Sequence, residues 1–126
     1  MIAYLDTNAV IRLADGRQHP GSRETIRLIE RADLLISPMV VLELELLHEI
    51  GRIKLSARDI QSKIEHELDV HVCELPFVQV VQAARDEKWT RDPFDRLIVA
   101  HAKINCLAPL LSADEQIARH YARTLW

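Results

Sequence analysis

The sequence predicts an α/β fold: a three-layer α/β/α sandwich around a mostly parallel sheet of about five strands. Short apolar runs alternate with longer segments of helical spacing, a pattern typical of parallel sheets covered on both faces. Helix-start residues (Ser, Asp or Pro) follow several of the runs directly. A chain of 126 residues, 48% of them hydrophobic, can bury a core of its own, so we expect residues 1–126 to form a single domain.

Five short apolar runs are predicted as buried strands because polar residues or prolines bound them. They are Ile2–Leu5, Leu34–Ile36, Val70–Leu75, Leu107–Leu111 and Ala122–Trp126, the last of them as an edge strand. In a parallel sheet the carboxyl ends of such strands share one edge, where ligands usually bind. Residues that follow the runs are therefore the first candidates for function.

Apolar residues at helical spacing fill the intervening segments, and three of these segments begin near Ile26, Pro76 and Pro93. The stretch Val40–Leu46 is ambiguous because it alternates as a strand would. Ser37-Pro38 before it nevertheless offers a helix cap with a first-turn proline, and Gly51 beyond it is a good helix stop. We therefore predict a helix from Pro38 toward Gly51.

Composition narrows the functional classes. There are 16 Lys and Arg against 19 Asp and Glu, and the net charge of −3 argues mildly against a nucleic-acid-binding protein. No apolar run approaches the roughly 18 residues of a membrane span, and no signal peptide is evident. We expect a cytoplasmic protein without membrane association. Cys73 and Cys106 form no CxxC pair and are expected to be reduced, buried thiols.

Four acidic residues stand just after predicted strands or on the helix that follows: Asp6, Glu43, Asp95 and Asp114. Carboxylates brought close together raise each other's pKa unless a cation neutralises them. Carboxylate oxygens are also the ligands that Mg²⁺ and Mn²⁺ prefer. If the four acids converge at one edge of the sheet, they predict a divalent-metal site that acts on phosphodiesters.

Two of the acidic segments have a purely structural alternative. Asp6 can cap a helix on its own. Asp92 can cap the helix that begins at Pro93, and Asp95 can then close a capping box or complement the helix dipole. Each acid alone is therefore weak evidence for chemistry, and the inference depends on the combination.

The other two acids leave similar alternatives open. Ser112 and Glu115 match a capping box, which would leave Asp114 over in the first turn of a helix. Glu43 lies on an otherwise apolar stretch, where a charge is costly unless it is paired, and an arginine could supply that partner. Glu45, two residues further, is the more readily solvated of the two and competes with Glu43 for the assignment.

Other chemistries lack their required spacing. His48-Glu49 has no second histidine to complete a zinc motif, and no glycine-rich phosphate loop or nucleophile elbow is present. A phosphoacceptor receiver domain would place an aspartate after the third strand, where Glu74–Pro76 stands. A phosphatase of the haloacid dehalogenase type would need a second aspartate at the position of Asn8.

Taken together, these segments resemble the PIN-domain ribonucleases, and more narrowly the VapC-type toxins of toxin–antitoxin pairs. The resemblance runs in the family's order over essentially the whole chain, and its most specific part is the block Asp92–Arg96. The matching segments are Leu5–Asn8, Glu43 with Gly51–Ile53, Asp92–Ile98 with Ala100 and Ala102, and Leu111–Asp114.

The resemblance implies an Mg²⁺- or Mn²⁺-dependent endoribonuclease that is a homodimer and is held inactive by a small antitoxin. It matches the family's acidic quartet to Asp6, Glu43, Asp95 and Asp114. We expect the three aspartates to lie nearest the metal, with Glu43 either a ligand or the partner of a water molecule there. The hydroxyls of Thr7 and Ser112 are expected to orient the carboxylates; Ser112 stands where threonine is commoner.

Arg96, and with less support Arg91, is expected to contact a substrate phosphate. The alternative for Arg96 is an ion pair with Asp92 one helical turn away. A different functional class also remains open: a non-catalytic module of the same fold, bound to RNA or to a protein, whose acids only cap helices. The target RNA, the antitoxin and the number of metal ions lie outside what the sequence predicts.

Overall fold

The computed structural model describes residues 1–16 and 21–126, and no helix within these ranges is long and apolar enough to cross a membrane. The described chain alternates strands and helices as the sequence predicted. In chain order the elements are β1 (Ile2–Leu5), α1 (Thr7–Ala14), α2 (Arg23–Arg31), β2 (Asp33–Ile36), α3 (Pro38–Glu49), α4 (Ala57–Leu68), β3 (His71–Val72), α5 (Phe77–Ala84), α6 (Pro93–Ile104), β4 (Leu110–Leu111), α7 (Glu115–His120) and β5 (Thr124–Leu125).

The five strands form one all-parallel sheet in the order β3-β2-β1-β4-β5, which confirms the predicted fold class and the edge position of the last strand. The central strand β1 lies in the core, and its residues Ala3, Tyr4 and Leu5 are fully buried. The chain moves outward from β1 to β3 and then returns to β4 on the other side of β1. Since crossovers between parallel strands are right-handed, this reversal places helices on both faces.

Three strands are shorter than the sequence predicted, and the backbone explains one of them. The edge strand predicted over Ala122–Trp126 is reduced to β5. The strand predicted over Leu107–Leu111 is reduced to β4 because Leu107 has a φ of 51°, a left-handed conformation that an extended strand does not allow. The strand predicted over Val70–Leu75 is reduced to β3, although the Cys73 N–H still donates to the Ile36 carbonyl at 2.8 Å.

The ambiguous segment after β2 is a helix, as predicted from its cap. Ser37 accepts a hydrogen bond from the Met39 N–H at 3.1 Å, and Pro38 occupies the first turn of α3. At the other end Gly51 has a φ of 77°, and the Arg52 N–H donates to the Leu47 carbonyl at 2.9 Å. This left-handed glycine turns the chain back over the last turn of α3, with Arg52 directly beyond it.

The two cysteines differ in their exposure to solvent. Cys73 is buried, as expected, and its Sγ accepts a hydrogen bond from the Tyr4 hydroxyl at 3.0 Å. Cys106 is exposed, so the prediction of a buried thiol was wrong for this residue. Cys106 and Leu107 both have positive φ in the turn after α6, and the turn carries them to the surface.

The strand register places three strand ends level with one another. Leu5 pairs with Ile36 on one side and with Leu111 on the other, and the Asp6 N–H donates to the Leu111 carbonyl at 3.1 Å. The residues that follow β1 and β4 therefore meet at the carboxyl edge, at the point where the strand order reverses. In open α/β sheets this reversal point is the usual ligand site.

Candidate active site

A cavity of about 170 Å³ lies at this edge, and all four acids named in the sequence analysis line it. They arrive from four separate parts of the chain: the exit of β1, the middle of α3, the first turn of α6 and the start of α7. The described residues that line it are Asp6, Thr7, Asn8, Glu43, Leu47, Arg52, Asp95, Ile98 and Asp114. The structure thus brings together carboxylates that are more than a hundred residues apart in sequence.

Asp6 is both the cap of α1 and a wall of the cavity. Its Oδ1 accepts a hydrogen bond from the Ala9 N–H at 2.7 Å, as the capping alternative predicted, and the residue is only 5% exposed. Burial raises the pKa of Asp6, hydrogen bonds from Ser112 and Ala9 lower it, and the charge of Asp114 raises it further. Arg12 is the cation that opposes this rise.

Glu43 projects into the cavity from α3 and is held by Thr7, whose Oγ1 donates a hydrogen bond to Oε1 of Glu43. Burial raises the pKa of Glu43, the Thr7 bond lowers it, and the negative charges of Asp92 and Asp6 raise it again. Glu45 is exposed and does not line the cavity. The geometry therefore favours Glu43 over Glu45 as the acid of α3.

Asp95, unlike Asp6 and Asp114, does not cap its helix. Asp92 caps α6 by accepting from the N–H groups of Phe94 (2.8 Å) and Asp95 (3.4 Å), so the Asp95 carboxylate is not needed as a cap. Burial raises the pKa of Asp95 from 3.8 to about 7, with further contributions from Asp92, Asp114, Glu43 and Asp6 in that order. A proton or a metal ion is therefore strongly favoured beside this side chain.

Asp114 is the cap of α7, so the alternative capping box of Ser112 with Glu115 does not form. Oδ1 of Asp114 accepts from the N–H groups of Gln116 (2.8 Å) and Ile117 (3.1 Å). The helix begins at Glu115, two residues later than a box from Ser112 requires. The Ser112 hydroxyl instead accepts from the Asp114 N–H at 3.1 Å and bonds the side chain of Asp6, so it connects two of the acids.

The chemistry of the cavity fits a divalent cation, although the ligands are not yet gathered around one point. Among residues 1–16 and 21–126, no three His, Cys, Asp or Glu side chains are already arranged as a metal-binding group. The cavity nevertheless offers four hard oxygen donors, and the capping bonds of Asp6 and Asp114 use only Oδ1. The raised pKa values of Asp6, Glu43 and Asp95 mark a concentration of negative charge that a cation would relieve.

The two arginines named from the sequence lie outside this cavity. Nε of Arg96 donates to the Thr90 carbonyl at 2.8 Å, and no ion pair joins Arg96 to Asp92 in the described chain. Nη1 of Arg91 donates to the Lys88 carbonyl at 3.4 Å, and Arg91 is exposed. A contact of either side chain with a phosphate therefore stays a prediction.

Arg52 lines the cavity, although the sequence analysis named it only within the matching segment Gly51–Ile53 and gave it no role. It stands beyond the left-handed Gly51, and of the residues that line the cavity it alone carries a positive charge. The available signal was a cation three residues after the helix that carries Glu43. That signal is weak, because only the turn at Gly51 determines which way the chain continues.

Comparisons with known proteins agree with this geometry. The sequence matches the PIN domain family over residues 3–123. The fold is similar to that of VapBC2 from Rickettsia felis bound to a DNA fragment from its promoter (TM-score 0.62, 20% identity, 99% of this chain and 96% of that chain covered). It is also similar to VapBC-1 from nontypeable Haemophilus influenzae (TM-score 0.65, 20% identity, 100% and 96% covered).

A toxin–antitoxin complex from Klebsiella pneumoniae has the same fold as well (TM-score 0.64, 15% identity, 98% of this chain and 96% of that chain covered). No curated protein matches this sequence. Identities this low establish a shared fold, and the family match over nearly the full length establishes the family. The chain belongs to the PIN-domain family.

Proposed function

We propose that this protein is an Mg²⁺- or Mn²⁺-dependent endoribonuclease that hydrolyses RNA phosphodiester bonds, and that it is the toxin of a type II toxin–antitoxin pair in the cytoplasm. The observation that carries the proposal is the convergence of four carboxylates from four elements on one cavity. Membership of the PIN family and the fold shared with toxin–antitoxin complexes support the role of a toxin nuclease.

In this proposal Asp6, Asp95 and Asp114 hold the cation, and Glu43 is either a fourth ligand or positions water beside it. A bound Mg²⁺ or Mn²⁺ would supply positive charge to the scissile phosphate and make an attacking water more acidic. The chain's own part is orientation: Thr7 holds Glu43 by a hydrogen bond, and Ser112 holds Asp6. Asp95, whose pKa is about 7, would release its proton on binding a cation, so occupancy of the site should increase with pH.

The direct test is cleavage of a labelled RNA pool in Mn²⁺ by matched variants. Asp6→Asn keeps a good helix cap while it removes the charge, and we expect cleavage to fall by more than about 100-fold, beyond the loss typical of an outer-shell change. Asp95→Asn and Glu43→Gln should do the same. Glu45→Gln, two residues along α3 and exposed, is the matched control and should stay active. Full cleavage by Asp6→Asn or Asp95→Asn would reject the site.

Metal dependence is tested separately by chelation. Excess chelator should silence the wild-type protein, and added Mn²⁺ should restore cleavage, because the acids cannot neutralise the phosphate charge alone. Cleavage that persists in excess chelator would point to a metal-free mechanism instead.

The same proposal includes a cognate antitoxin and a homodimer. The similar structures include VapBC proteins and a toxin–antitoxin complex, which supports a small protein partner for this chain. We expect the product of a short neighbouring reading frame to co-purify with the chain and to suppress RNA cleavage. A purified neighbour product that neither binds the chain nor changes its cleavage rate would count against the toxin role.

One observation favours a second candidate, a non-catalytic module that binds RNA or a protein. Asp6 and Asp114 already serve as helix caps, and the described residues contain no preformed metal-binding group. If Mn²⁺ changed neither the thermal stability of the protein nor its RNA cleavage, this module would become the better description.

A further inference from the structure

A larger groove of about 600 Å³ adjoins the acidic cavity, between α1 and the segment leading into α4. Asn8 and Arg52 line both spaces, so the two are neighbours. Three cations line the groove: Arg12 from α1, and Arg52 and Lys54 from the segment after α3. We call this the basic groove. Asp15 also lines it, so positive residues outnumber negative ones there by three to one.

Arg52 stands at the junction of the basic groove with the acidic cavity. Its side chain is exposed, and none of the hydrogen bonds or ion pairs of the described residues uses its guanidinium. Arg12, in contrast, lowers the pKa of Asp6 and lies over the Trp126 ring at 5.3 Å. Arg52 is therefore held near four acids without neutralising them, and its five N–H donors remain available for an external anion.

Near the start of α6, the two arginines named from the sequence offer little positive charge to a substrate in the cavity. Arg91 and Arg96, which precede or begin α6, donate to main-chain carbonyls and do not line the cavity. A polyanion that enters the site meets unpaired positive charge on the α1 side. Phosphate groups are attracted to such charge through release of their counterions, and arginine binds phosphate with a bidentate fork.

From this arrangement we infer that the RNA strand enters through the basic groove, and that Arg52 binds the phosphate next to the scissile one. Lys54 and Arg12 would follow the phosphates further along the same strand. The inference rests on the proposed function and adds to it a direction for the substrate and a substrate-binding residue. It also accounts for RNA binding by a chain whose net charge is −3.

The test measures affinity for a fluorescein-labelled single-stranded RNA of twelve mixed-sequence nucleotides, by anisotropy, in an Asp95→Asn background that should not cleave it. We expect Arg52→Gln to weaken binding roughly three- to tenfold at 0.1 M salt and to reduce the slope of log Kd against log salt by about 0.7, one phosphate contact. Lys54→Gln should act in the same direction. Arg58→Gln is the control, since Arg58 is exposed on α4 and lines neither space.

In the otherwise wild-type enzyme, Arg52→Gln should raise KM more than it lowers kcat, which a purely structural role would not produce. Equal affinity and equal salt slope for Arg52→Gln and Arg58→Gln would overturn the inference and leave the basic groove to a protein partner. If wild-type protein cleaves RNA while Arg52→Gln is unaffected, only the path of the RNA is wrong. If wild-type protein neither binds nor cleaves RNA, the proposed function fails together with this inference.

Discussion

At the residue scale, Asp95 differs from the other three acids of the cavity in its surroundings. Asp6 and Asp114 accept backbone N–H groups, and Glu43 accepts from Thr7, whereas no donor to the Asp95 carboxylate is found in the described chain. The charge of Asp95 is therefore opposed by burial and by neighbouring carboxylates without a compensating bond. Ionisation of this carboxylate is therefore costly to the fold.

That cost predicts how stability depends on pH without metal. The pKa of Asp95 is about 7 in the folded protein against 3.8 as its ordinary value, so the folded state binds more protons between these two pH values. The contribution of Asp95 to stability is fully present below pH 4 and is lost as pH rises through 7. We expect Asp95→Asn to raise the free energy of unfolding at pH 8 by about 1 kcal/mol, roughly 3 to 5 °C in Tm.

The measurement is thermal unfolding of both proteins in chelator from pH 5 to pH 8. The two melting curves should converge toward pH 5 and separate toward pH 8. A wild-type protein that is the more stable of the two at pH 8 would show that the Asp95 charge is compensated by groups other than a metal.

Added metal should reverse the order of stability, so that the wild-type protein becomes more stable than Asp95→Asn. A ligand that binds only the folded state stabilises it by about 2.7 kcal/mol when present at a hundred times its Kd. We expect saturating Mn²⁺ to raise the Tm of the wild-type protein and to leave the Tm of Asp95→Asn nearly unchanged. Glu45→Gln is the control and should respond as wild type. An equal Mn²⁺ response from Asp95→Asn would place the metal elsewhere on the protein.

At the scale of the elements, the segment before α6 is tied down by a buried ion pair. Glu87 is only 3% exposed; its carboxylate pairs with Nζ of Lys103 on α6 and accepts from Nε1 of Trp89 at 2.6 Å. Lys103 also lies 5.8 Å from the centre of the Tyr121 ring. The pair fixes the segment that ends in Asp92, the cap of α6, and thereby supports the position of Asp95.

Removal of one partner of the Glu87–Lys103 ion pair should lower the free energy of unfolding. Lys103→Ala leaves the Glu87 charge buried, and we expect a loss of about 3 kcal/mol, the lower end for a broken buried pair because Lys103 is partly exposed. Adding Glu87→Gln should recover part of that loss, since the unpaired charge is then gone. Urea unfolding of both single variants and the double variant measures the coupling. Lys88→Ala, an exposed lysine of the same segment, is the control. Equal losses for Lys103→Ala and Lys88→Ala would contradict a structural role for the pair.

The elements that the sequence predicted well are those whose signals are local. Ser37 with Pro38 and Asp92 with Pro93 start α3 and α6 where expected, because a cap and a first-turn proline act within a few residues. At the start of α7 the sequence offered two overlapping caps, Ser112 and Asp114, and the structure shows that Asp114 is the one used. No local signal at Leu107 indicates its positive φ, so β4 was predicted too long.

The convergence of the acids was predictable for a related reason. Each acid follows an apolar run or its helix, and parallel strand ends share an edge, so residue type and topology together placed them. The position of Arg52 was not predictable in this way. It depends on the left-handed turn at Gly51 and on how α3 packs against α1 and α4, which are relations between distant parts of the chain.

At the scale of the whole molecule, one helix leaves an apolar face uncovered. Phe77, Val78 and Val81 of α5 are 48%, 69% and 40% exposed and share one side of the helix, while Val80 and Ala84 pack inward toward α6. A second copy of the chain, as the expected homodimer requires, would cover such a surface. None of these three residues lines the acidic cavity, so dimerisation and catalysis can be tested with separate variants.

We expect Val78→Asp to convert a dimer into a monomer, because a charge buried in an apolar interface without a partner costs several kcal/mol. Light scattering coupled to size-exclusion chromatography at micromolar concentration measures the mass, and unchanged Mn²⁺ stabilisation would show that the fold and the metal site are intact. Gln79→Asp adds the same charge one residue along, off the apolar face, and should leave the mass unaltered. A wild-type protein that is monomeric at this concentration would refute the homodimer. Equal dissociation by both variants would assign the interface to another surface of the chain.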